Sequence, residues 1–258
     1  MNKRYNRINR ILEIIKDKGG STVRELAEEM NVSEMTIRRD LKLLTEENAI
    51  NTVHGAAFFN PGYTNSSDSD YSLTHAQISM NEEKERIGRL AASLIEEDEV
   101  IVIDTGTTTE KLAAALNYNL KATVICYNLN ILNSVASMPN ITLAFAGGYY
   151  HPNTQMFENP EGIAFLRSLR ATKIFISAAG VHEELGITCA NNYEVPTKQA
   201  VLASGMEKIL LADSSKFGTV KSSYFAVLKD FDTVITDSAL PEEWQERIKE
   251  MGIRLFMA

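Results

Sequence analysis

The sequence predicts an α/β protein in two parts: a short, mostly helical N-terminal part, and a longer Rossmann-like part in which strands and helices alternate. Three observations carry this. Val32 to Leu44, VSEMTIRRDLKLL, reads as a helix with one apolar and one basic face, and two more amphipathic helices precede it. From Val100 onward, short continuous apolar runs recur, each followed by a Gly-, Thr-, Ser- or Asp-rich turn and then, in several cases, by helical spacing. Between the two parts, residues 58–80 change in composition, with Pro61-Gly62 and the run Asn65-Ser66-Ser67-Asp68-Ser69-Asp70 marking a polar linker. A chain of 258 residues with 44% apolar content has room for two folded domains. The boundaries expected are 1–57, a linker at 58–80, and 81–258.

Taken in order, Ile8, Ile11, Leu12 and Ile15 form the apolar stripe of a first helix, stopped by Gly19-Gly20. Val23, Leu26, Ala27 and Met30 repeat at i, i+3, i+4 and i+7 and predict a second. Three residues, Asn31-Val32-Ser33, separate it from the third, for which Ser33 stands at the N-cap. Ile37, Leu41 and Leu44 give the third helix its buried stripe. Ser33, Thr36, Arg38, Arg39 and Lys42 are left largely off it, where hydroxyl and guanidinium groups suit phosphates and base edges. Helix, tight turn, helix with a basic front is the helix-turn-helix pattern. Ala49 to Phe58 is extended and carries a glycine, as a β-wing would, which completes a winged helix-turn-helix. Lys3, Arg4, Arg7 and Arg10 make the extreme N-terminus basic.

In the second part a helix is expected around Ile87, Leu90, Ala91, Leu94 and Ile95. Strands are expected at Val100–Ile103, Thr123–Cys126, Ile141–Ala146, Lys173–Ser177, Lys208–Ala212 and Thr233–Thr236. Helices should resume over Lys111–Leu116, Ile131–Ala136 and after Pro241. Continuous apolar strands alternating with helices predict a mainly parallel sheet covered on both faces. Ligands of such sheets bind beyond the carboxyl ends of the strands. The most informative turn there is Asp104-Thr105-Gly106-Thr107-Thr108-Thr109, whose glycine allows a tight turn and whose threonines open a helix. Unpaired amides and the helix dipole at that point favour an anion, and a phosphate is the natural guest. Lys198 and Lys216 add positive charge to the same rim, and Glu194 an acceptor for sugar hydroxyls. The plain alternative for Glu194 and Lys198, at i and i+4, is a helix ion pair of about 0.5 kcal/mol or less. His151 and His182 are expected in loops without a catalytic partner.

The formal net charge is −8, but it is unevenly placed. Residues 1–57 carry ten Lys/Arg against nine Asp/Glu, and residues 58–258 sixteen against twenty-five. Phosphate neutralisation is local, so a small domain with a basic face can bind DNA while attached to an acidic body. No apolar run approaches the roughly 20 residues of a membrane span, and no secretory core follows the basic start. Cys126 and Cys189 lack metal-ligand spacing and are expected reduced, in a cytoplasm. No metal or nucleotide cofactor is indicated; no GxGxxG run follows the first strand of the second part.

The string SEMTIRRDL, followed by VHGAAFF, resembles the DeoR-type bacterial transcriptional regulators. So does the order of motifs downstream: DTGTTT, Asn128, Gly147-Gly148, SAAGVH with Gly186, EVPTK at 194–198 and DSSKFG at 213–218. The resemblance spans nearly the whole chain. It departs in the wing, where His54-Gly55-Ala56-Ala57 stands for the commoner HGGA and Asn51-Thr52 for a basic residue; the helix is untouched. The resemblance implies a winged helix-turn-helix on double-stranded operator DNA and a homo-oligomer held by the second domain. It also implies an effector domain similar to ribose-5-phosphate isomerase that takes a phosphorylated sugar. Asp104, Gly106, Thr107, Thr108, Thr109, Asn128, Gly147, Gly148, Glu194, Lys198 and Lys216 would form the effector site. SAAGVH and Gly186-Ile187-Thr188-Cys189 stand nearest the deoxyribonucleoside-responsive members, which implies deoxyribose 5-phosphate as a first candidate. Repression relieved by the metabolite is the sign the resemblance implies.

An isomerase-like enzyme with an attached DNA-binding module is the competing expectation, since aldose–ketose isomerisation needs a positioned general base and Glu194 is available. Against it, the isomerase's acidic strand-end loop is replaced here by Ser177-Ala178-Ala179-Gly180, and Ala179 stands where most DeoR-type members have Asp. A binding pocket without catalysis is therefore expected.

Overall fold

The structure, a computed structural model, describes residues 3–18, 20–46, 50–53, 56–59 and 80–258. Gly19, Ala49, His54, Gly55 and most of the expected linker lie outside the described residues. The chain divides into two compact units, 1–70 and 71–258.

In the first unit, helix α1 (Lys3–Lys18) buries Ile11, Leu12, Ile14 and Ile15. The basic residues Lys3, Arg4, Arg7 and Arg10 therefore all belong to this helix. Helix α1 ends at Lys18, directly before the expected stop at Gly19-Gly20, and Gly20 opens strand β1 (Gly20–Thr22), an element the sequence reading did not anticipate. Helix α2 (Val23–Met30) starts in a reciprocal capping box: the Glu25 amide donates to Thr22 Oγ1 at 3.2 Å, and the Thr22 amide to Glu25 Oε2 at 2.8 Å. It ends where Asn31 enters the left-handed region, at φ 51°. Helix α3 (Glu34–Glu46) follows, its first turn closed by the Thr36 amide donating to Ser33 Oγ at 3.2 Å. Ile37, Leu41 and Leu44 join Leu26, Ile11 and Ile15 in one core, as their spacing predicts. Strands β2 (Ile50–Val53) and β3 (Ala56–Phe59) form the wing and pair in the order β1-β3-β2, with Ile50 and Ala57 facing the core. β3 runs two residues past the boundary expected at 57.

In the second unit, helix α4 (Asn81–Ser93) leads into strands β4 (Val100–Ile103), β5 (Ala122–Cys126) and β6 (Ile141–Phe145). After a hairpin of β7 (Tyr149–His151) and β8 (Met156–Glu158) comes β9 (Ala171–Ser177). Strands β10 (Gly180–His182), β11 (Gly186–Cys189), β12 (Gly205–Leu211), β13 (Ser223–Ala226), β14 (Thr233–Thr236) and β15 (Arg254–Met257) complete the set. Seven strands form one parallel sheet in the order β15-β14-β12-β9-β4-β5-β6. Its two faces alternate along each strand. Val102, Ile125, Ile174, Ile176, Leu210 and Val234 enter one apolar layer; Ile101, Ile103, Val124, Phe175, Ile209, Leu211 and Ile235 enter the other. Both faces are buried, which is why these strands read as continuous apolar runs.

From β4 the chain adds β5 and β6 on one side, then returns to lay β9 against the other side of β4. That reversal is a topological switch point, where open α/β sheets hold ligands. Helices α5 (Thr107–Ala114), α6 (Leu129–Val135), α7 (Pro160–Ser168), α8 (Val195–Ser204) and α9 (Glu242–Glu250) make the crossovers and covers. A smaller antiparallel sheet, β10-β11-β13, was not expected. His151 and His182 accordingly sit on strands rather than in loops; His151 stacks on Tyr193 with ring centroids 3.8 Å apart.

Candidate functional site

Two surfaces collect the residues singled out above. On α3, Ser33, Arg38, Arg39 and Lys42 are exposed and Thr36 is half-buried. Ser33 and Thr36 also join through their hydroxyls at 2.9 Å, which fixes the front of the helix. Arg38 Nη2 lies 3.4 Å from Glu34 Oε2. Arg38, Lys42, Thr52 and Ala56 share a groove between α3 and the wing strands. The residue beside them, Asp40, is buried and accepts from Arg7 Nε at 2.7 Å, while Arg10 pairs with Glu13 at 3.0 Å. Those two N-terminal cations serve the protein's own carboxylates. The side chains of Lys3 and Arg4 lie outside the described residues.

In the second unit, the turns after β4 and β9 open onto a cavity of about 230 Å³ at the switch point. Gly106, Thr107, Thr108, Glu194, Lys198 and Lys216 come together in its wall, as expected, joined by Lys84, Thr105, Ser177 and Lys221. Gly106 has φ 153°, and a Cβ there would stand 2.3 Å from Ser177 Oγ. It is the N-cap of α5 and offers no side chain to the first-turn amides, so those donors face whatever occupies the cavity. Thr105 Oγ1 donates to the Thr154 carbonyl at 3.1 Å, tying this loop to the β7–β8 hairpin.

Asp104 does not line the cavity. It is fully buried beneath it and saturated: Oδ1 accepts from the Tyr127 hydroxyl, while Oδ2 accepts from the Ser177 amide at 2.9 Å, Ser177 Oγ at 3.2 Å and Lys198 Nζ at 2.5 Å. Lys198 is thus paired with Asp104, not with Glu194 one turn away. Burial lowers the Lys198 pKa, but the carboxylates of Asp104 and Glu194 outweigh it and leave the ammonium above its ordinary value. Glu194 Oε1 accepts from the Asn191 amide at 3.1 Å and from Asn191 Nδ2 at 2.9 Å. Burial raises its carboxyl pKa, partly offset by Lys198 and Asn191.

Four other expected site residues also stay out of the wall. Thr109 is buried and its hydroxyl donates to the Gly106 carbonyl at 2.9 Å, closing the turn. Asn128 is fully buried at the start of α6, bridged to Met156, with neither side-chain polar atom hydrogen-bonded. Gly148, at φ 143°, lets the chain pass so close to Glu158 that a Cβ would meet its carbonyl oxygen at 2.4 Å, and Gly147 leads into it.

Lys84 and Lys221 are the charged wall residues that sequence reasoning missed, and Lys84 is the buried one. Its side chain is 1% exposed, its Nζ lies 3.9 Å from Asp213 Oδ2, and Lys216 lies 3.9 Å from the same oxygen. Burial pulls its pKa down to about 8, with Asp213 opposing. The signal was available: Lys84, Ile87, Gly88 and Ala91 occupy the buried stripe of α4, and a lysine on such a stripe needs a reason. The wall carries four lysines and Glu194, with Asp104 and Asp213 set against three of those lysines, so four positive charges meet three negative ones and the site suits a small anion. Cys189, also in the wall, has its thiol pushed up to about 12 by burial and is inert as a nucleophile. Among the described residues no group of His, Cys, Asp and Glu could hold a metal ion, and no helix is long and apolar enough to cross a membrane.

Comparison with known proteins bears on both surfaces. Residues 7–61 match the family described as DeoR-like helix-turn-helix domain, and residues 79–238 the DeoR C terminal sensor domain. The deoxyribose operon repressor of Escherichia coli K12 is 31% identical over 253 residues, covering 98% of each chain. The lactose phosphotransferase system repressor of Staphylococcus epidermidis is 33% identical over 247 residues, covering 92% of this chain and 93% of the repressor. Among solved structures, ribose 5-phosphate isomerase A of Methanocaldococcus jannaschii aligns at a TM-score of 0.41 and 17% identity, over 54% of this chain and 55% of that one.

Proposed function

Because the chain belongs to the DeoR family of DNA-binding transcriptional regulators, a non-enzymatic family with a sugar-sensing C-terminal domain, we propose that it represses a sugar or nucleoside catabolic operon and leaves its operator when a phosphorylated sugar fills the cavity at the switch point. One observation carries the sugar-phosphate reading: Lys84, Lys216 and Lys221 converge on a 230 Å³ cavity into which the uncapped start of α5 opens. A volume below the about 300–1,000 Å³ of drug-sized pockets suits a monosaccharide phosphate. The phosphate would take the Gly106–Thr108 amides and the lysines; Glu194 and Ser177 would take sugar hydroxyls. Lys198, held by Asp104, orients the floor. The chain's relatives include repressors of a deoxyribose operon and of a lactose phosphotransferase system, and deoxyribose 5-phosphate is the first compound to try.

On the other surface, Ser33, Thr36, Arg38, Arg39 and Lys42 contact the operator, with α3 in the major groove. The protein acts as a homo-oligomer in the cytoplasm, so that two recognition helices meet paired half-sites. The ligand shifts DNA affinity only through its different affinity for the bound and released arrangements.

The test is fluorescence anisotropy on labelled DNA from upstream of the protein's own operon, with and without a panel of sugar phosphates. One compound should reverse binding. Thr107→Asp should keep DNA binding and lose that response, because a carboxylate in the wall repels a phosphate. Arg38→Ala should lose DNA binding and keep ligand-induced thermal stabilisation. Tight DNA binding that no compound alters would sink the effector reading and leave the regulator.

A further inference from the structure

We propose that Met35 is a specificity-determining contact of the recognition helix, seated on the C5-methyl group of a thymine in the operator. The inference rests on the DNA-binding function of the first unit and not on the effector reading.

Met35 is 59% exposed on the second residue of α3, in the front turn from which recognition helices touch base edges. The buried side of α3 is Ile37, Asp40, Leu41 and Leu44. Met35, Arg39 and Lys42 follow at i, i+4 and i+7 on the opposite side, and Arg39 and Lys42 are exposed as well. An unbranched apolar side chain thus stands out of a cationic row, outside the buried cluster formed by the first unit's described residues. Arg38 lies at the wing-side edge of that face, beside Glu34, and with Lys42 lines the groove next to Thr52 and Ala56. The centre of the exposed face therefore belongs to Met35 and Arg39.

The chemistry selects the partner. A thioether side chain offers no strong donor or acceptor, so it gains little at the hydrogen-bonding edges of guanine, adenine or cytosine. The major groove presents one apolar group, the thymine methyl, and apolar side chains read it by contact. Three rotatable bonds and a polarizable sulfur let methionine fit such a group without a rigid seat. Four residues of helix advance about 6 Å, nearly two base steps at about 3.4 Å each. The thymine read by Met35 then lies within two base pairs of the base or phosphate that Arg39 meets.

The experiment begins with the full chain selecting tight-binding duplexes from a random-sequence pool. In the selected motif each thymine is replaced singly by deoxyuridine, which removes only the methyl group, and binding is read by anisotropy at fixed salt. At one position the wild type should lose about fourfold in affinity, the value of one buried methyl. Met35→Ala should bind the thymine and uracil duplexes equally, with an unchanged melting temperature, since the side chain is outside the core. Met35→Leu, which keeps an apolar contact, should retain part of the discrimination. A wild type indifferent to uracil at every position, a Met35→Ala variant that keeps the full thymine preference, or a selected motif without an invariant T·A pair would each overturn the proposal.

Discussion

The Asp104 carboxylate is wholly buried, and everything around the cavity floor hangs on it: Ser177 and Tyr127 are held by hydrogen bonds and Lys198 by charge. Removing it strands a fully buried ammonium. Asp104→Ala should cost about 3–5 kcal/mol in a urea titration, the usual penalty for breaking a buried pair from one side. Adding Lys198→Met should return much of that loss, because an apolar pair in such a place is often as stable as the ion pair it replaces. If the double variant is no better than the single, Lys198 was not the stranded group. Lys84 makes a second, separable case. Its pKa falls from 10.5 unfolded to about 8 folded, so below pH 8 the folded state carries the full burden of a buried charge. Between about pH 8 and 10.5 the folded protein sheds that proton before the unfolded chain does, and stability rises with pH. Across that window the wild type should gain urea stability relative to Lys84→Met, which has nothing to titrate. A difference that stays constant from pH 7 to 10 would mean that Lys84 keeps its ordinary pKa.

At the scale of the element, the turn between α2 and α3 is set by backbone chirality. Asn31 sits at φ 51°, ψ 48° with its amide bonded back into α2, and the Val32 amide reaches the Ala27 carbonyl at 3.0 Å. Asparagine tolerates this region, glycine prefers it, and other side chains cost about 1–2 kcal/mol there. Asn31→Gly should leave the melting temperature nearly unchanged and Asn31→Ala should lower it; equal effects would show that the side chain, not the backbone, holds the turn. The same element was legible in the sequence because its apolar spacing, its cap at Ser33 and its three-residue length all agree. The parallel strands were legible for a similar reason: burial on both faces writes them as unbroken runs such as Val100–Ile103. β1, β10 and β11 were not, since three or four residues such as Gly20–Thr22 hold no period; β1 pairs with the distant β3, and β10 and β11 form a short hairpin that is completed by the distant β13. In the site, the turn Thr105–Thr108 was legible by type and position. What spacing does not encode is which of two adjacent polar residues faces inward: Asp104 and Thr109 flank that turn and support it, while Lys84, twenty residues upstream, reaches the cavity through the fold.

For the whole molecule, the question is whether the two units report to each other, and thermodynamics makes that measurable without knowing how they move. If a sugar phosphate weakens operator binding by some factor, saturating operator must weaken sugar-phosphate binding by the same factor. Couplings of this kind typically run from about 5-fold to 150-fold. There is a rival origin for the same observation. Residues 1–57 carry a net charge of only +1 and the remainder −9, so DNA binding depends on a few local cations and should fall steeply with salt. A millimolar sugar phosphate is itself a polyvalent salt and can strip DNA without entering the cavity. The reciprocal experiment separates the two: calorimetric titration of the effector into free protein and into the operator complex, beside anisotropy of operator with and without effector. Equal ratios from the two directions are expected, with inorganic sulfate at matched ionic strength giving neither. If sulfate reproduces the release, or if operator leaves effector affinity untouched, the cavity and the recognition helix are uncoupled and the apparent induction is screening of the Arg38, Arg39 and Lys42 face.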